Sequence, residues 1–189
     1  MTSIQQRNAT YDDLVALPVN VVGELIDGDL IVSPRPAGPH SQAASTLGMD
    51  LGSPFQRGRG GPGGWWILDE PELHLAHNVL VPDVAGWHRQ SMADVPADHR
   101  FTIRPDWLCE VLSPSTASFD RIRKMRLYAA AGIQHVWILD PLSRSLEVYR
   151  LNGPDWLRIQ SFSAETSDTL CRVEPFEQIE LELPAFWHS

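Results

Sequence analysis

One stretch of the chain, residues 107–140, constrains the fold more than any other. It contains a continuous apolar run, WLCEVLS, then the helical pattern DRIRKMRLYAAAG, and then a second apolar run, HVWILD. A continuous apolar run is typical of a strand that is covered on both faces of its sheet. Because a helix of this length forms a crossover connection, the two strands are predicted to be parallel neighbours in an α/β protein.

Two carboxylates interrupt strand sequences that are otherwise apolar. Asp83 follows a proline in VPDVAGW, and Glu110 lies in the middle of WLCEVLS. A buried carboxylate is costly unless a cation, a metal or a hydrogen-bond donor lies beside it. Lys124, on the helix that follows, is a candidate partner. These residues predict either a functional site or a structural ion pair between Glu110 and Lys124, with Asp83 at the start of a strand.

The segments before this unit predict smaller elements around it. YDDLVALP is typical of a short helix that ends at Pro18. The arms GELID and DLIV, joined at Asp27-Gly28, predict a hairpin, and the first arm carries Glu24. Apolar residues at helical spacing predict a helix over residues 41–51, with His40 at its start. WWILD and ELHLA predict a strand that is interrupted at a proline.

The central helix and the C-terminal segments complete the predicted elements. Ser118 or Asp120 can cap the central helix, and Ile122, Met125 and Ala129 are predicted to form its apolar stripe. SLEVYRLN and DWLRIQSF predict a hairpin, and IELEL predicts a last strand.

Length and hydropathy indicate one soluble domain. The chain has 189 residues, of which 43% are hydrophobic and 21% charged. We expect a single domain over residues 1–189, with its core at about 20–141. No apolar run is long enough to span a bilayer, so no membrane partner is expected. The N-terminus lacks the apolar segment of a signal peptide, and a cytoplasmic location is expected.

The net charge of -9 argues against a protein that binds nucleic acid through bulk electrostatics. It leaves room for a local basic groove. The loop QRGRGGPGG does not end in the pattern of a phosphate-binding P-loop, but Arg57 and Arg59 could contact a phosphate backbone. A solvated surface loop is the simpler interpretation. His74 and His77 would point to opposite faces of a strand, which disfavours them as a metal-binding pair.

The polar residues in these strands are suited to metal-dependent chemistry. Carboxylates from neighbouring strands, such as Asp83 and Glu110, can together hold Mg²⁺, a hard cation that prefers oxygen ligands. Such an ion polarises a phosphodiester and lowers the pKa of an attacking water. A lysine beside it can hold or deprotonate that water, or stabilise negative charge as it develops.

Several segments together resemble a known family. IDGDLIVSPRP, VPDVAGW, and the run from WLCEVLSPSTASFDRIRKMRLYAAAGI to HVWILDP are similar to the Uma-two family of bacterial restriction endonuclease-like proteins, within the PD-(D/E)XK nuclease superfamily. The resemblance covers residues 10 to 185, approximately. It implies an α/β fold with a restriction-endonuclease-like mixed β-sheet flanked by helices, here with extra N- and C-terminal β-hairpins.

The superfamily motif has a lysine two residues after the strand acid, where this chain has Leu112. In the family that the chain resembles, a lysine on the next helix takes this role, and Lys124 occupies that position. The resemblance thus implies a set of catalytic residues: Asp83, Glu110, Lys124 and Glu24. It also implies Asp83 and Glu110 as the metal ligands and His40 as a residue that supports them. His40 could instead hydrogen-bond to the backbone at the start of its helix.

The expected function is that of an endonuclease, dependent on Mg²⁺ or Mn²⁺, which hydrolyses DNA phosphodiester bonds, with homodimer formation left open. The alternative is a non-catalytic interaction protein with the nuclease fold, which the acidic balance and the lack of an evident basic, aromatic-rich surface favour. Retention of all four polar candidates favours the enzyme. A metal-dependent enzyme that acts on another anionic substrate is a third interpretation.

Overall fold

Two mixed β-sheets carry most of the computed structural model, which describes residues 2–35, 37–114, 116–165 and 168–187. In chain order, the strands are β1 (Ser3–Arg7), β2 (Val21–Ile26), β3 (Asp29–Pro34), β4 (Trp65–Asp69), β5 (Glu72–Leu75), β6 (Asn78–Leu80), β7 (Val84–His88), β8 (Arg100–Phe101), β9 (Trp107–Val111), β10 (His135–Asp140), β11 (Ser145–Asn152), β12 (Asp155–Ser163), β13 (Leu170–Cys171) and β14 (Leu181–Glu182).

Helices cover and connect these sheets. They are α1 (Tyr11–Val15), α2 (Gly38–Leu51) with the π-helical turn Gly52–Gln56 at its end, α3 (Ala117–Phe119), the π-helical turn Asp120–Lys124, α4 (Met125–Ala131) and the 3₁₀ helix Leu183–Phe186. Within the residues described, no helix is both long enough and apolar enough to cross a membrane.

The second sheet, with strand order β12-β11-β10-β9-β7-β4, contains the predicted crossover unit. β9 and β10 are parallel, with Glu110 opposite Ile138, so this prediction is confirmed. Every residue of β9 is buried, as its continuous apolar run predicts. The predicted C-terminal hairpin, β11 and β12, extends the same sheet beyond β10.

The first sheet, with strand order β1-β3-β2-β6-β5-β8, contains the predicted N-terminal hairpin. Asp27 and Gly28 both have positive φ, 54° and 80°, which a tight two-residue hairpin turn requires. β2 and β3 pair with Glu24 opposite Ile31. The strands on either side of Pro71 belong to different sheets, because β4 lies in the second sheet and β5 in the first.

The alternation of β9 separates two apolar clusters. Trp107, Cys109 and Val111 pack in the cluster that contains α2 and the C-terminal segment. Leu108 and Leu112 pack in the cluster that contains α4 and Ile138. Because side chains two residues apart on a strand share a face, Glu110 points into the second cluster, toward the crossover helices.

The predicted apolar stripe of the central helix is wrong at Ile122, although Met125 is buried as predicted. Ile122 is 68% exposed, whereas Asp120 and Lys124 are buried. The reason is the π-helical turn Asp120–Lys124, whose wider winding changes which side chains face the sheet. The predicted side-chain cap is also wrong, since Thr116 is the N-cap residue and Asp120 lies inside the helical segment. Gly132 ends the helix in a left-handed conformation, as predicted.

Aromatic packing around Phe176 predicts a large loss of stability on truncation. Its ring lies 5.0 Å from the ring of Trp107 and 5.6 Å from that of Trp137, both nearly perpendicular to it. Phe176→Ala should lower the free energy of unfolding by about 3–5 kcal/mol, because a cavity replaces a fully buried ring. Urea denaturation measures this. The control Leu157→Ala, at a position 48% exposed, should change the free energy of unfolding by less than about 0.5 kcal/mol; equal losses would contradict the assignment of the core.

Candidate active site

The five residues proposed from the sequence line one cleft of about 250 Å³. Glu24 lies in β2 of the first sheet, and Glu110 lies in β9 of the second. Lys124 ends the π-helical turn above β9, and His40 lies in the first turn of α2. Asp83 immediately precedes β7 and so lies at a strand start, not within the strand.

Lys124 is the centre of this cleft. Its Nζ lies 2.9 Å from Glu24 Oε1 and 3.3 Å from Glu110 Oε1. The same Nζ lies 3.4 Å from Oδ1 of Asp120, on the same helical segment. The side chain is only 6% exposed. Burial by itself lowers the pKa of Lys124, but the three carboxylates more than offset this and raise it well above its ordinary value. The side chain is therefore an ammonium at neutral pH.

Three carboxylates share this one ammonium, and burial raises the pKa of each of them. The pKa of Glu110 is raised well above its usual range, mainly by burial, with Lys124 opposing this and the neighbouring acids adding to it. The pKa values of Glu24 and Asp120 are raised for the same first reason. Tyr128 donates its hydroxyl hydrogen to Glu110 Oε1. The cluster thus favours binding of further positive charge.

Asp83 is held separately from Lys124. Its Oδ2 accepts a 2.7 Å hydrogen bond from the backbone N–H of Val111, and its Oδ1 lies 3.1 Å from His40 Nε2. Burial lowers the pKa of His40, but the hydrogen bond and the charge of Asp83 outweigh it, so the pKa is raised. His40 Nδ1 is buried without a hydrogen-bond partner among the described residues, so the alternative of a backbone hydrogen bond is not seen.

Asp120 and Tyr128 belong to this cluster but were missed as site residues. Asp120 lies four residues before Lys124, a spacing at which helical side chains of opposite charge meet. Tyr128 lies four residues after it. That spacing is the available signal, whereas the frequency of acids at helix starts favours Asp120 as a cap.

The side chains of this cleft include the type of ligand that a hard cation prefers, because Asp83 and Glu110 both line the cleft and carry carboxylate oxygens. Within the described ranges, no group of three or more histidine, cysteine or acidic side chains is arranged to hold a metal ion. The ammonium of Lys124 lies among the acids, 2.9 Å from Glu24 Oε1 and 3.3 Å from Glu110 Oε1. A cation would compete with it for the oxygens of Glu110.

Comparison with protein families identifies the chain. The model of the Uma2 family, described as "putative restriction endonuclease", matches residues 11–184. The chain belongs to the Uma2 family. This confirms the resemblance to the Uma-two family that the sequence segments indicate. No curated protein matches the chain.

A solved structure shares the fold of this Uma2 chain. It is the crystal structure of a protein from Anabaena variabilis, described as a putative nuclease belonging to DUF820, with a TM-score of 0.76 and 23% sequence identity. The similarity covers 95% of this chain and 97% of the other. At this identity the match establishes the fold, and the predicted restriction-endonuclease-like mixed α/β architecture is confirmed.

The ion cluster predicts a pH-dependent loss of stability in Lys124→Met. This change leaves three buried carboxylates without their cation, and we expect a loss of about 3–5 kcal/mol in the free energy of unfolding at about pH 8. Because their folded-state pKa values are raised, the folded protein binds more protons than the unfolded chain. Stability should therefore fall as the pH rises above the pKa values that these carboxyl groups have in the unfolded chain. The loss of stability in the variant should be smaller at about pH 5 than at about pH 8.

Urea denaturation at both pH values measures this effect. The control is Arg126→Met, on the same helical segment, which removes an ion pair with Asp27. The side chain of Arg126 is 61% exposed. An exposed pair contributes less than about 1 kcal/mol and should show little pH dependence. A Lys124→Met deficit that is the same at both pH values would contradict the proposed electrostatic origin.

Proposed function

We propose that the chain is an endonuclease, dependent on Mg²⁺ or Mn²⁺, which hydrolyses DNA phosphodiester bonds. The observation that carries this proposal is the convergence of Asp83, Glu110 and Lys124 in one cleft between the two sheets. Membership of the Uma2 family supports it, since that family is described as a putative restriction endonuclease. A single domain, a cytoplasmic location and a homodimer stay predictions.

Asp83 and Glu110 would hold the metal ion in this proposal. When bound, the ion polarises the phosphodiester and lowers the pKa of the attacking water. The N–H of Val111 binds one oxygen of Asp83, and His40 contacts the other. His40 therefore orients that carboxylate. Tyr128 does the same for Glu110 through its hydroxyl.

Lys124 would stabilise negative charge on the phosphate as the bond breaks. Because its pKa is raised, the Lys124 side chain stays protonated. It is therefore better suited to stabilise negative charge than to remove a proton from water. Glu24 would fix this ammonium in place, because its Oε1 contacts Nζ while also accepting a 2.9 Å hydrogen bond from the N–H of Val81.

The second candidate is a non-catalytic interaction protein that keeps the nuclease fold. The specific observation in its favour is the salt-bridged arrangement of Lys124 with Glu24, Glu110 and Asp120, in which the ammonium already occupies the space among the acids. In that case the cluster is a structural ion network, and divalent metal has no effect on the protein.

Metal binding separates the two candidates. Saturating Mg²⁺ or Mn²⁺ at about 100 times the dissociation constant should stabilise a metal-binding fold by about 2.7 kcal/mol, measured as a rise in the melting temperature. Asp83→Asn should abolish the rise, since an amide ligates a hard cation weakly while its oxygen can still accept the hydrogen bond of Val111. Wild-type protein whose melting temperature is unchanged by metal would favour the interaction protein.

Cleavage tests the division of roles. Lys124→Arg keeps a cation in the cluster, and so keeps the fold, but it changes the shape of the donor. We expect the rise in melting temperature with metal to persist while cleavage of plasmid and single-stranded DNA falls by about 10²-fold or more. Asp83→Asn should lose both. A Lys124→Arg variant as fast as wild type would show that the lysine is not catalytic, and equal activity in Asp83→Asn would reveal a contaminating nuclease.

A further inference from the structure

A groove leads away from the candidate active site along α2. A cavity of about 200 Å³ shares His40 and Asp83 with the active-site cleft. A second cavity, of about 450 Å³, shares Ser45 and Asp69 with the first. The three cavities, each sharing lining residues with the next, follow one another from the site to the loop after α2, and we call the row of the two outer cavities the α2 groove.

Two arginines stand at the far end of the α2 groove. Arg57 and Arg59 line its last cavity, and both are exposed. In the part of the chain that the structure describes, neither guanidinium forms an ion pair or a hydrogen bond. By contrast, most of the other arginines contact carboxylates: Arg35, Arg100, Arg121, Arg123, Arg126, Arg150, Arg158 and Arg172. Two free guanidinium groups are suited to bind an anion from outside the chain.

The backbone beneath these arginines is fixed to the end of α2. The N–H of Arg57 donates to Gly52 O at 3.1 Å, and the N–H of Arg59 donates to Ser53 O at 3.0 Å. Gly58 and Gly60, on either side of Arg59, have positive φ, so the loop needs glycine there. These bonds fix the positions at which the two arginine side chains leave the backbone.

We propose that the α2 groove binds the phosphodiester backbone of a DNA strand, and that Arg57 and Arg59 contact phosphates remote from the bond to be cleaved. This inference rests on the proposed function. The 17 steps from residue 40 to residue 57 run along α2 and its π-helical turn, which at 1.5 Å per residue is roughly 26 Å. At about 3.4 Å per nucleotide, this corresponds to roughly seven or eight stacked nucleotides.

The groove also contains opposing charges: Glu70, which pairs with Arg35, lines its first cavity together with Asp69. Asp69 borders both of its cavities, and partial burial raises its pKa. A carboxylate on the path of a phosphate backbone weakens binding by repulsion. Asp69→Asn should therefore tighten DNA binding, the opposite of the effect of removing the arginines. Unchanged or weaker binding in this variant would contradict the path of the strand.

The experiment compares two double variants with the same loss of charge. Arg57→Gln/Arg59→Gln removes the proposed contacts, and Arg7→Gln/Arg144→Gln removes two exposed arginines outside the groove that also lack ion pairs in the described structure. Fluorescence anisotropy measures the affinity for labelled single-stranded and duplex DNA of about 30 nucleotides, without divalent metal so that no cleavage occurs, at several salt concentrations.

Counterion release gives the expected size of the effect. Loss of two phosphate contacts should reduce the slope of log K against log salt by about 1.4 on a single strand or about 1.8 on a duplex. At about 0.1 M salt this corresponds to a loss of affinity of about 25-fold or about 60-fold. The form of DNA that shows the loss is the form that the groove holds. The control variant should stay within about twofold of wild type.

Oligonucleotide length provides a second measurement. Wild type should gain affinity sharply as the strand is lengthened from about four to about twelve nucleotides, because only the longer strand spans the groove, and Arg57→Gln/Arg59→Gln should lack this gain. An unchanged salt slope in this variant, or an equal loss in the control, would overturn the inference.

A cleavage assay with Mg²⁺ keeps this inference separate from the proposed function. Binding that depends on Arg57 and Arg59, in a wild-type protein that does not cleave, would support the groove and overturn the nuclease. Cleavage by wild type, with binding independent of both arginines, would support the nuclease and overturn the groove.

Discussion

The ammonium of Lys124 is the interaction on which the arrangement around the cleft depends. It joins Glu24 of the first sheet to Glu110 of the second, while Asp120 contacts it from the same helical segment. A buried ion network tolerates little displacement, because removal of one member leaves charges without partners where water cannot solvate them. The two sheets and the crossover helix therefore meet at one side chain.

The excess of carboxylates over ammonium gives the cleft its chemical character. Burial raises the pKa values of Glu24, Glu110 and Asp120, and Asp83 adds to the repulsion at Glu110. A divalent cation at the oxygens of Glu110 would relieve that repulsion, so in the proposed metal site the affinity for metal would be linked to protonation and to stability. The same negative charge means that a phosphodiester could enter this cleft only together with a cation, since the acids alone would repel it.

The distribution of arginine over the surface would reconcile a net charge of -9 with the DNA substrate proposed above. Most arginines form ion pairs with carboxylates of the same chain. The surface around these pairs is therefore not a broad basic face. Arg57 and Arg59 are exceptions beside a groove that reaches the site. Binding of a nucleic acid would then depend on a few local contacts. Its affinity and salt dependence would be those expected for contact with a small number of phosphates.

Local sequence patterns determined much of this protein. The continuous apolar runs of β9 and β10, the helix between them and the Asp27-Gly28 turn each permit few arrangements, so the parallel pair and the hairpin followed from the sequence. Carboxylates within apolar strand sequences indicated Asp83, Glu110 and their candidate partner Lys124, and family resemblance assigned Glu24 and His40 to the same site. Only the tertiary structure decided which side chains meet there: across the π-helical turn, Asp120 and Lys124 are buried together and Ile122 is exposed. Helical periodicity assumes regular winding, and one wide turn is enough to change the face that a helix buries.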